Sequence, residues 1–148
     1  MNVSRKVRSA LVAAALAGSS LVGGVGAAAP ASASGASCPS SNWPLISYPF
    51  YDSSGRLAAI GYIQQYDNGG CAYLVAQGIY SGMYKWMDIQ IKDVYATGQT
   101  GYDGGHYYYY AGPVSIHPGN GNCLEVWFDM QNSSGNWVVK TTDFTNCN

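Results

Sequence analysis

Short runs of alternating hydrophobic and polar residues, separated by turns rich in Gly, Asn and Asp, fill the chain beyond residue 56. In "MDIQIK", Met87, Ile89 and Ile91 share one face, and the polar residues share the other. "CLEVWFDM", residues 123–130, alternates in the same way. This period of two is typical of antiparallel strands with one buried face and one wet face. The pattern predicts an all-β fold, a small antiparallel sandwich or barrel of six or seven strands.

The segment "HYYYYAGPVSI" fits the same description, and no segment shows a sustained helical period. We expect one strand to contain the four tyrosines, with alternate rings on opposite faces, and to bend or end near Pro113, which cannot donate a ladder hydrogen bond. By contrast, the glycine-rich stretch "ATGQTGYDGG", residues 96–105, predicts a long loop.

The N-terminus has the three-part layout of a secretory signal peptide. Basic residues come first, an apolar run of small residues follows, and Ala31 and Ala33 satisfy the rule for cleavage after residue 33. We therefore expect residues 1–33 to be removed and residues 34–148 to form a single secreted domain. A transmembrane anchor is less favoured, because glycines and serines break the apolar run and no stop-transfer charges follow it.

Cleavage changes the charge balance. Removing Arg5, Lys6 and Arg8 leaves four basic residues against eight acidic ones, a net charge of −4. This balance argues against nucleic acid as a partner, because phosphate neutralisation needs clustered Lys and Arg. It also argues against binding of the mature chain to anionic membranes.

The mature chain contains four cysteines, and an even number in a small exported domain predicts two disulfides. A zinc site is the alternative, but the sequence has no C-x-x-C pair. Of the three possible connectivities we expect Cys38–Cys71 and Cys123–Cys147, in which each bridge joins one end of the chain to a nearby strand.

Three segments, "YDSSG" at 51, "YDNGG" at 66 and "YDGG" at 102, combine an Asp with Gly. Calcium loops are one interpretation, but each segment offers a single carboxylate and hard cations need six or more oxygens. Turns in which Asp accepts backbone hydrogen bonds explain the pattern better. No metal and no cofactor is predicted.

The sequence offers little for catalysis. It has no G-x-S-x-G elbow and no H-E-x-x-H. Asp103 and His106 are the one tempting acid–base pair, but two glycines separate them. We interpret Asp103 as a turn cap and His106 as a water-facing strand residue, so replacing both leaves function intact. The prediction is a non-enzymatic protein, with a small hydrolase as the last-ranked alternative.

Aromatic residues are the best candidates for binding. Two tryptophans fall on the polar faces of their strands, where a ring can stack on a sugar, form an interface or be covered by a loop. The candidate ligand-binding residues are Trp86, Trp127, Tyr107, Tyr108, Tyr109 and Tyr110.

The segment "GGHYYYYAGPVSIHPGNGNCLEVW" resembles the spore-associated protein A family of filamentous, spore-forming bacteria, with this chain as a distant member. Gly105, Tyr107 and residues 109–114 match the family's tyrosine segment, and Cys123 and Cys147 match its later cysteines. The resemblance implies export and association with the spore or cell surface, and it carries no catalytic residues.

Three functions in addition to the hydrolase stay open on these grounds. The first is a non-enzymatic protein of the spore or cell surface, with cell-wall components as partners. The second is a carbohydrate-binding module that recognises glycans through its surface aromatics. The third is a small secreted protease inhibitor, for which residues 96–105 are the only long loop but contain too many glycines to be preorganised.

Overall fold

The computed structural model describes residues 35–39, 42–67, 69–95, 100–117 and 123–141, and the backbone of residues 144–147. Within these residues the chain forms nine strands and one short 3-10 turn at Gly78–Tyr80. The strands are β1 (Leu45–Tyr51), β2 (Leu57–Tyr66), β3 (Gly69–Ala76), β4 (Lys85–Asp93), β5 (Thr100–Tyr107), β6 (Tyr110–Ile116), β7 (Cys123–Gln131), β8 (Trp137–Lys140) and β9 (Phe144–Cys147).

Two antiparallel sheets pack face to face. Sheet A has the strand order β1-β2-β3-β6, and sheet B has the order β5-β4-β7-β8, with β9 also paired to β7. The prediction of an all-β antiparallel sandwich is confirmed. The strands number nine rather than six or seven, because residues 45–51 and 100–107 are strands and the last apolar run is divided into β8 and β9.

The hydrophobic halves of the alternating runs form the core, as predicted. Met87, Ile89 and Ile91 of β4 are fully buried, and so are the four apolar residues that alternate along β7. Phe128 lies against Gly61 of the opposite sheet, where a Cβ would fall within 3 Å of its ring. The polar halves of β4 and β7 therefore form the outer face of sheet B.

The tyrosine run is not one strand, contrary to prediction. Tyr107 ends β5 in sheet B, Tyr110 begins β6 in sheet A, and the two residues between them are the corner where the chain changes sheets. Pro113 does not end the strand either, since β6 continues to Ile116. Gly112 and Pro113 lie opposite the single residue Tyr73, and such a bulge accommodates a proline that cannot donate to the ladder.

The predicted loop at residues 96–105 is also wrong for its second half, because residues 100–105 belong to β5, paired along its whole length with β4. Asp103 is therefore a strand residue and not a turn cap. Its carboxylate accepts hydrogen bonds from the Tyr107 hydroxyl at 2.6 Å and from the backbone N–H of Gly112 at 2.6 Å. It thereby ties β5 of one sheet to β6 of the other.

The predicted Cys38–Cys71 disulfide is present and joins the N-terminal segment to β3. Cys123 is disulfide-bonded, and its Cα pairs with that of Cys147 in the register of β7 with β9. The side chain of Cys147 lies outside the described residues, so the Cys123–Cys147 pairing stays a prediction that the strand register supports. The predicted signal peptide also lies outside them. In the part of the chain that is described, no helix has the length and apolar character needed to cross a membrane.

Candidate functional site

Three backbone and side-chain hydrogen bonds hold the corner between β5 and β6. The carbonyl of Tyr108 accepts from the Gly82 N–H and from the Lys85 ammonium, both at 2.9 Å, and the carbonyl of Tyr109 accepts from the Ala76 N–H at 2.8 Å. Lys85 is 1% exposed and also donates to the carbonyl of Met83 at 2.9 Å. Burial lowers the pKa of Lys85 to about 8. These bonds fix the corner while both of its rings remain exposed.

Five rings follow one another from this corner along the end of sheet B. We call them the ring ladder: Tyr84, Trp86, His106, Tyr108 and Tyr109. Tyr109 neighbours Tyr108 with ring centroids 6.4 Å apart, and Tyr108 neighbours Tyr84 at 5.1 Å. Tyr84 stacks on His106 at 5.1 Å, and Trp86 meets His106 edge-on at 5.4 Å. The ladder is thus a continuous aromatic surface whose rings already contact one another.

The ladder forms because the register of β4 with β5 places Trp86 directly opposite His106. Side chains two residues apart on a strand share a face, which brings Tyr84 alongside Trp86 and Tyr108 alongside His106. Antiparallel pairing and alternation therefore assemble rings from two segments that lie about twenty residues apart in the sequence.

Two carboxylates lie next to the ladder on the same face of sheet B. We call Asp88 and Asp129 the carboxylate pair, because they are direct cross-strand partners on β4 and β7. Trp86 donates from its indole Nε1 to Asp88 at 2.8 Å, and Asp129 accepts from the backbone N–H of Thr141 at 3.0 Å. Partial burial raises the pKa of both carboxyls, and the nearby charge of Asp88 raises that of Asp129 further.

Beyond the carboxylate pair the outer face continues with another aromatic row. Gln90 of β4 pairs with Tyr102 on one side and with Trp127 on the other. The hydroxyl of Tyr102 lies over Gly104, at a position that a Cβ on that residue would occupy. The missing side chain at 104 therefore lets the Tyr102 ring lie against the sheet beside Asp88.

The lysines of this face that the structure describes already have neighbours. Lys92 pairs with Glu125 at 3.5 Å, and the Lys140 ammonium lies 5.4 Å from the ring centre of Trp137. The area between Trp86 and Trp127 consequently contains rings, carboxylates and amides.

The predicted binding residues are divided among three places. Trp86, Tyr108 and Tyr109 belong to the ladder, and Trp127 is half-buried farther along the same face. Tyr107 points between the sheets, where its hydrogen bond to Asp103 raises its pKa to about 12. Tyr110 lies on sheet A.

Two ladder residues, Tyr84 and His106, are absent from the candidates drawn from the sequence. Tyr84 lies two residues before Trp86, so the alternation of β4, if extended by one residue, places both rings on one face. Tyr84 nevertheless precedes β4 and lies outside the alternating run, so the pattern does not single it out. His106 lies on the wet face of its strand, as predicted, but the sequence gives no reason to assign it a binding role. In the structure Asp103 faces inward opposite buried Ile89, whereas His106 faces outward and is exposed, so the two do not form an acid–base pair.

The Asp-containing segments have different structures. Asp52 caps its turn, as predicted, by accepting hydrogen bonds from the N–H groups of Ser54 and Arg56. Asp67 lies in the turn between β2 and β3, and "YDGG" at 102 is part of β5. The described residues include no group of three or more His, Cys, Asp and Glu side chains arranged to hold a metal ion.

Comparison with protein-family models, curated proteins and solved structures finds no match to this chain. The resemblance to the spore-associated protein A family therefore stays a prediction. The outer face of sheet B, with its rings and carboxylates, carries the chemistry from which a function can be inferred.

Proposed function

We propose that the protein is an exported, non-enzymatic surface protein that binds polysaccharide through the ring ladder. The observation that carries the proposal is the continuous row of five partly or fully exposed rings on a backbone fixed by hydrogen bonds. Rings of this kind give large contact areas at little entropic cost, because they have few rotatable bonds and are already ordered.

Polar groups beside the rings support a sugar ligand over a purely apolar partner. Tyrosine hydroxyls, the imidazole of His106, the Asp88 carboxylate and the Gln90 amide lie along the same face and offer both donors and acceptors. A ligand that combines apolar ring faces with many hydroxyls matches this mixture. Binding to a cell-wall polysaccharide would also account for retention on the spore or cell surface, which the sequence resemblance implies.

The Cys38–Cys71 disulfide is consistent with export, because disulfides persist in oxidising compartments. Protease inhibition has less support than sugar binding, because half of the segment proposed as the inhibitory loop is the paired strand β5. Among the residues that the structure describes, no arrangement of an activated nucleophile or an acid–base pair favours a hydrolase.

A pull-down with the purified mature protein on insoluble chitin, cellulose and peptidoglycan tests the proposal. We expect wild type to bind at least one of them and Tyr84→Ala to weaken that binding by at least about tenfold, equivalent to about 1.4 kcal/mol. Tyr51→Ala is the matched control, because Tyr51 is 59% exposed on sheet A and Tyr84 is 57% exposed on the ladder. Absence of binding to all glycans, or an equal loss in both variants, would contradict the proposal.

A further inference from the structure

The ring ladder ends at Trp86, and the carboxylate pair begins there. Trp86 belongs to both, since its ring contacts His106 and its indole N–H donates to Asp88. A chain that lies along the ladder therefore passes directly from rings to carboxylates. The two features form one surface and would contact one ligand.

The charge of this surface is net negative, because Asp88 and Asp129 lie side by side and Lys140, the cross-strand partner of Asp129, offsets only part of their charge. Lys92 forms its ion pair with Glu125, and Lys140 lies over the ring of Trp137 while its charge offsets part of the cost of ionising Asp129. Partial burial and the proximity of Asp88 make the charged form of Asp129 costly. A ligand cation placed between the two carboxylates would relieve this cost.

The rings favour a cation as well. The face of an aromatic ring has a negative electrostatic potential that attracts ammonium groups, with Trp the strongest case. An anionic polysaccharide would meet repulsion from the pair, and a neutral one would gain only hydrogen bonds from its hydroxyl groups, without the added attraction of opposite charges. Charge complementarity therefore distinguishes among ligands that the rings alone would accept equally.

We propose that the polysaccharide bound by the ring ladder carries free amino groups, as in a polymer of 2-amino-2-deoxyglucose, and that Asp88 and Asp129 accept them. This inference rests on the proposed function, since the ladder provides the contact area and the carboxylate pair selects among sugars. The two carboxylates favour the protonated form of the amino group, which then forms charge-assisted hydrogen bonds that are shorter and stronger than neutral ones.

Soluble oligomers of 2-amino-2-deoxyglucose and their fully N-acetylated counterparts provide the direct test, because they share one backbone and differ in charge. Calorimetry should show tighter binding of the amino oligomer by at least about fivefold, because one exposed charge pair contributes up to about fivefold and the surface offers two carboxylates. The preference should shrink as salt is added.

Variants assign the preference to residues. Asp88→Asn and Asp129→Asn should each lower the preference for the amino over the acetylated oligomer by about fivefold, because only the amino oligomer brings a charge to the lost carboxylate. Asp67→Asn is the matched control, since it removes the same charge from an exposed turn of sheet A and should change neither affinity. Melting temperatures of all three variants establish that they fold.

The outcomes separate the two proposals. Equal binding of amino and acetylated oligomers would overturn the ligand inference and leave the ladder as a glycan site. Binding of neither oligomer would also overturn the ligand inference, and absence of binding to insoluble chitin, cellulose and peptidoglycan as well would overturn both proposals. Polylysine bound as tightly as the amino oligomer, with Tyr84→Ala having no effect, would show simple adsorption of a polycation and would overturn the inference as well.

Discussion

Tyrosines lie on the outer faces of both sheets, but those at the centre of sheet A are largely buried and those of the ring ladder on sheet B are exposed. On sheet A, Tyr73 is 7% exposed and stacks on Tyr62 with ring centroids 4.6 Å apart. On sheet B, Tyr84 and Tyr108 contact each other but remain more than half exposed. Tyrosine content alone therefore does not distinguish a structural face from a binding face.

The difference arises from the N-terminal segment. The Cys38–Cys71 bridge anchors this segment to the outer side of β3, and Gln64 of β2 donates to the carbonyl of Trp43 at 2.9 Å. At the other end of the same face Gly35 lies so close to the Tyr110 hydroxyl that a Cβ would overlap it. The segment held by this one covalent link thus covers the outer side of β2 and β3, whereas Tyr84 and Tyr108 of the ladder on sheet B stay exposed.

Removing that link should have the largest effect on stability. We expect Cys38→Ala combined with Cys71→Ala to lower the free energy of unfolding by about 3 to 4 kcal/mol, because the bridge closes a loop with a sequence separation of 33. Urea unfolding measures the change. Glycan binding should persist at temperatures where the variant is folded, and its loss there would mean that the two faces are not independent.

A matched pair of tyrosine truncations should separate the faces most directly. Tyr73→Ala should cost about 3 kcal/mol, since it removes a buried ring and leaves a cavity against Tyr62. Tyr84→Ala should change stability by no more than about 0.5 kcal/mol, as surface substitutions usually do, while weakening binding. Thermal melts and pull-downs on both variants provide the measurement. A large loss of stability in Tyr84→Ala would make the ladder a structural element.

The sequence was sufficient to predict the strands whose two faces differ in polarity. β4 and β7 alternate strictly, so their buried and outer residues follow from period two. The same rule failed for the tyrosine run because tyrosine suits both faces of a strand, so four in a row contain no alternation. A different rule failed for residues 100–105. Glycines usually indicate a turn, but here they lie in a strand and leave room for neighbouring side chains.

The candidate site was predicted only in part, for a related reason. Trp86 and Tyr108 each stand out in the sequence, but their proximity depends on the pairing of β4 with β5, which no local pattern specifies. The carboxylate pair likewise depends on the register of β4 with β7. The packing of the whole sandwich determines which strands pair and in which register.

Adjacent tyrosines on either side of the corner allow a smaller test. Tyr107→Phe removes the hydroxyl that donates to Asp103 and should cost about 1.5 kcal/mol, the lower end for a hydrogen bond to a charged group. Tyr108→Phe, one residue along on the exposed ladder, should change stability by less than about 0.5 kcal/mol. Denaturant titrations should show this order, and a reversed order would contradict the assignment of Tyr107 to the interior.

The smallest effect concerns two hairpin turns, one in each sheet, that have the same backbone arrangement. In sheet A, Asp52 accepts from two backbone N–H groups at 2.8 and 3.0 Å. In sheet B, Asn132 accepts from the equivalent groups at 2.9 and 3.0 Å. Gly55 and Gly135 adopt positive φ angles of 78° and 81° at the same position of each turn. The two turns differ in charge, because only the first has a carboxylate.

This difference predicts a pH dependence that belongs to sheet A alone. Hydrogen bonds from Arg56, first from its backbone N–H and then from its side chain, lower the pKa of Asp52 to about 2, and the Tyr80 hydroxyl adds another. The folded pKa lies below the unfolded value of about 3.9, so the stabilisation is present above pH 4 and is lost as the pH falls towards 2.

Asp52→Asn copies the uncharged turn of sheet B and should flatten this part of the profile, by a few degrees of melting temperature at most. Asn132→Ser keeps an uncharged oxygen acceptor in the other turn and is the control that should retain the wild-type slope. Melting curves between pH 2 and pH 5 that show the same slope for Asp52→Asn as for wild type would contradict the assignment of this acid sensitivity to Asp52.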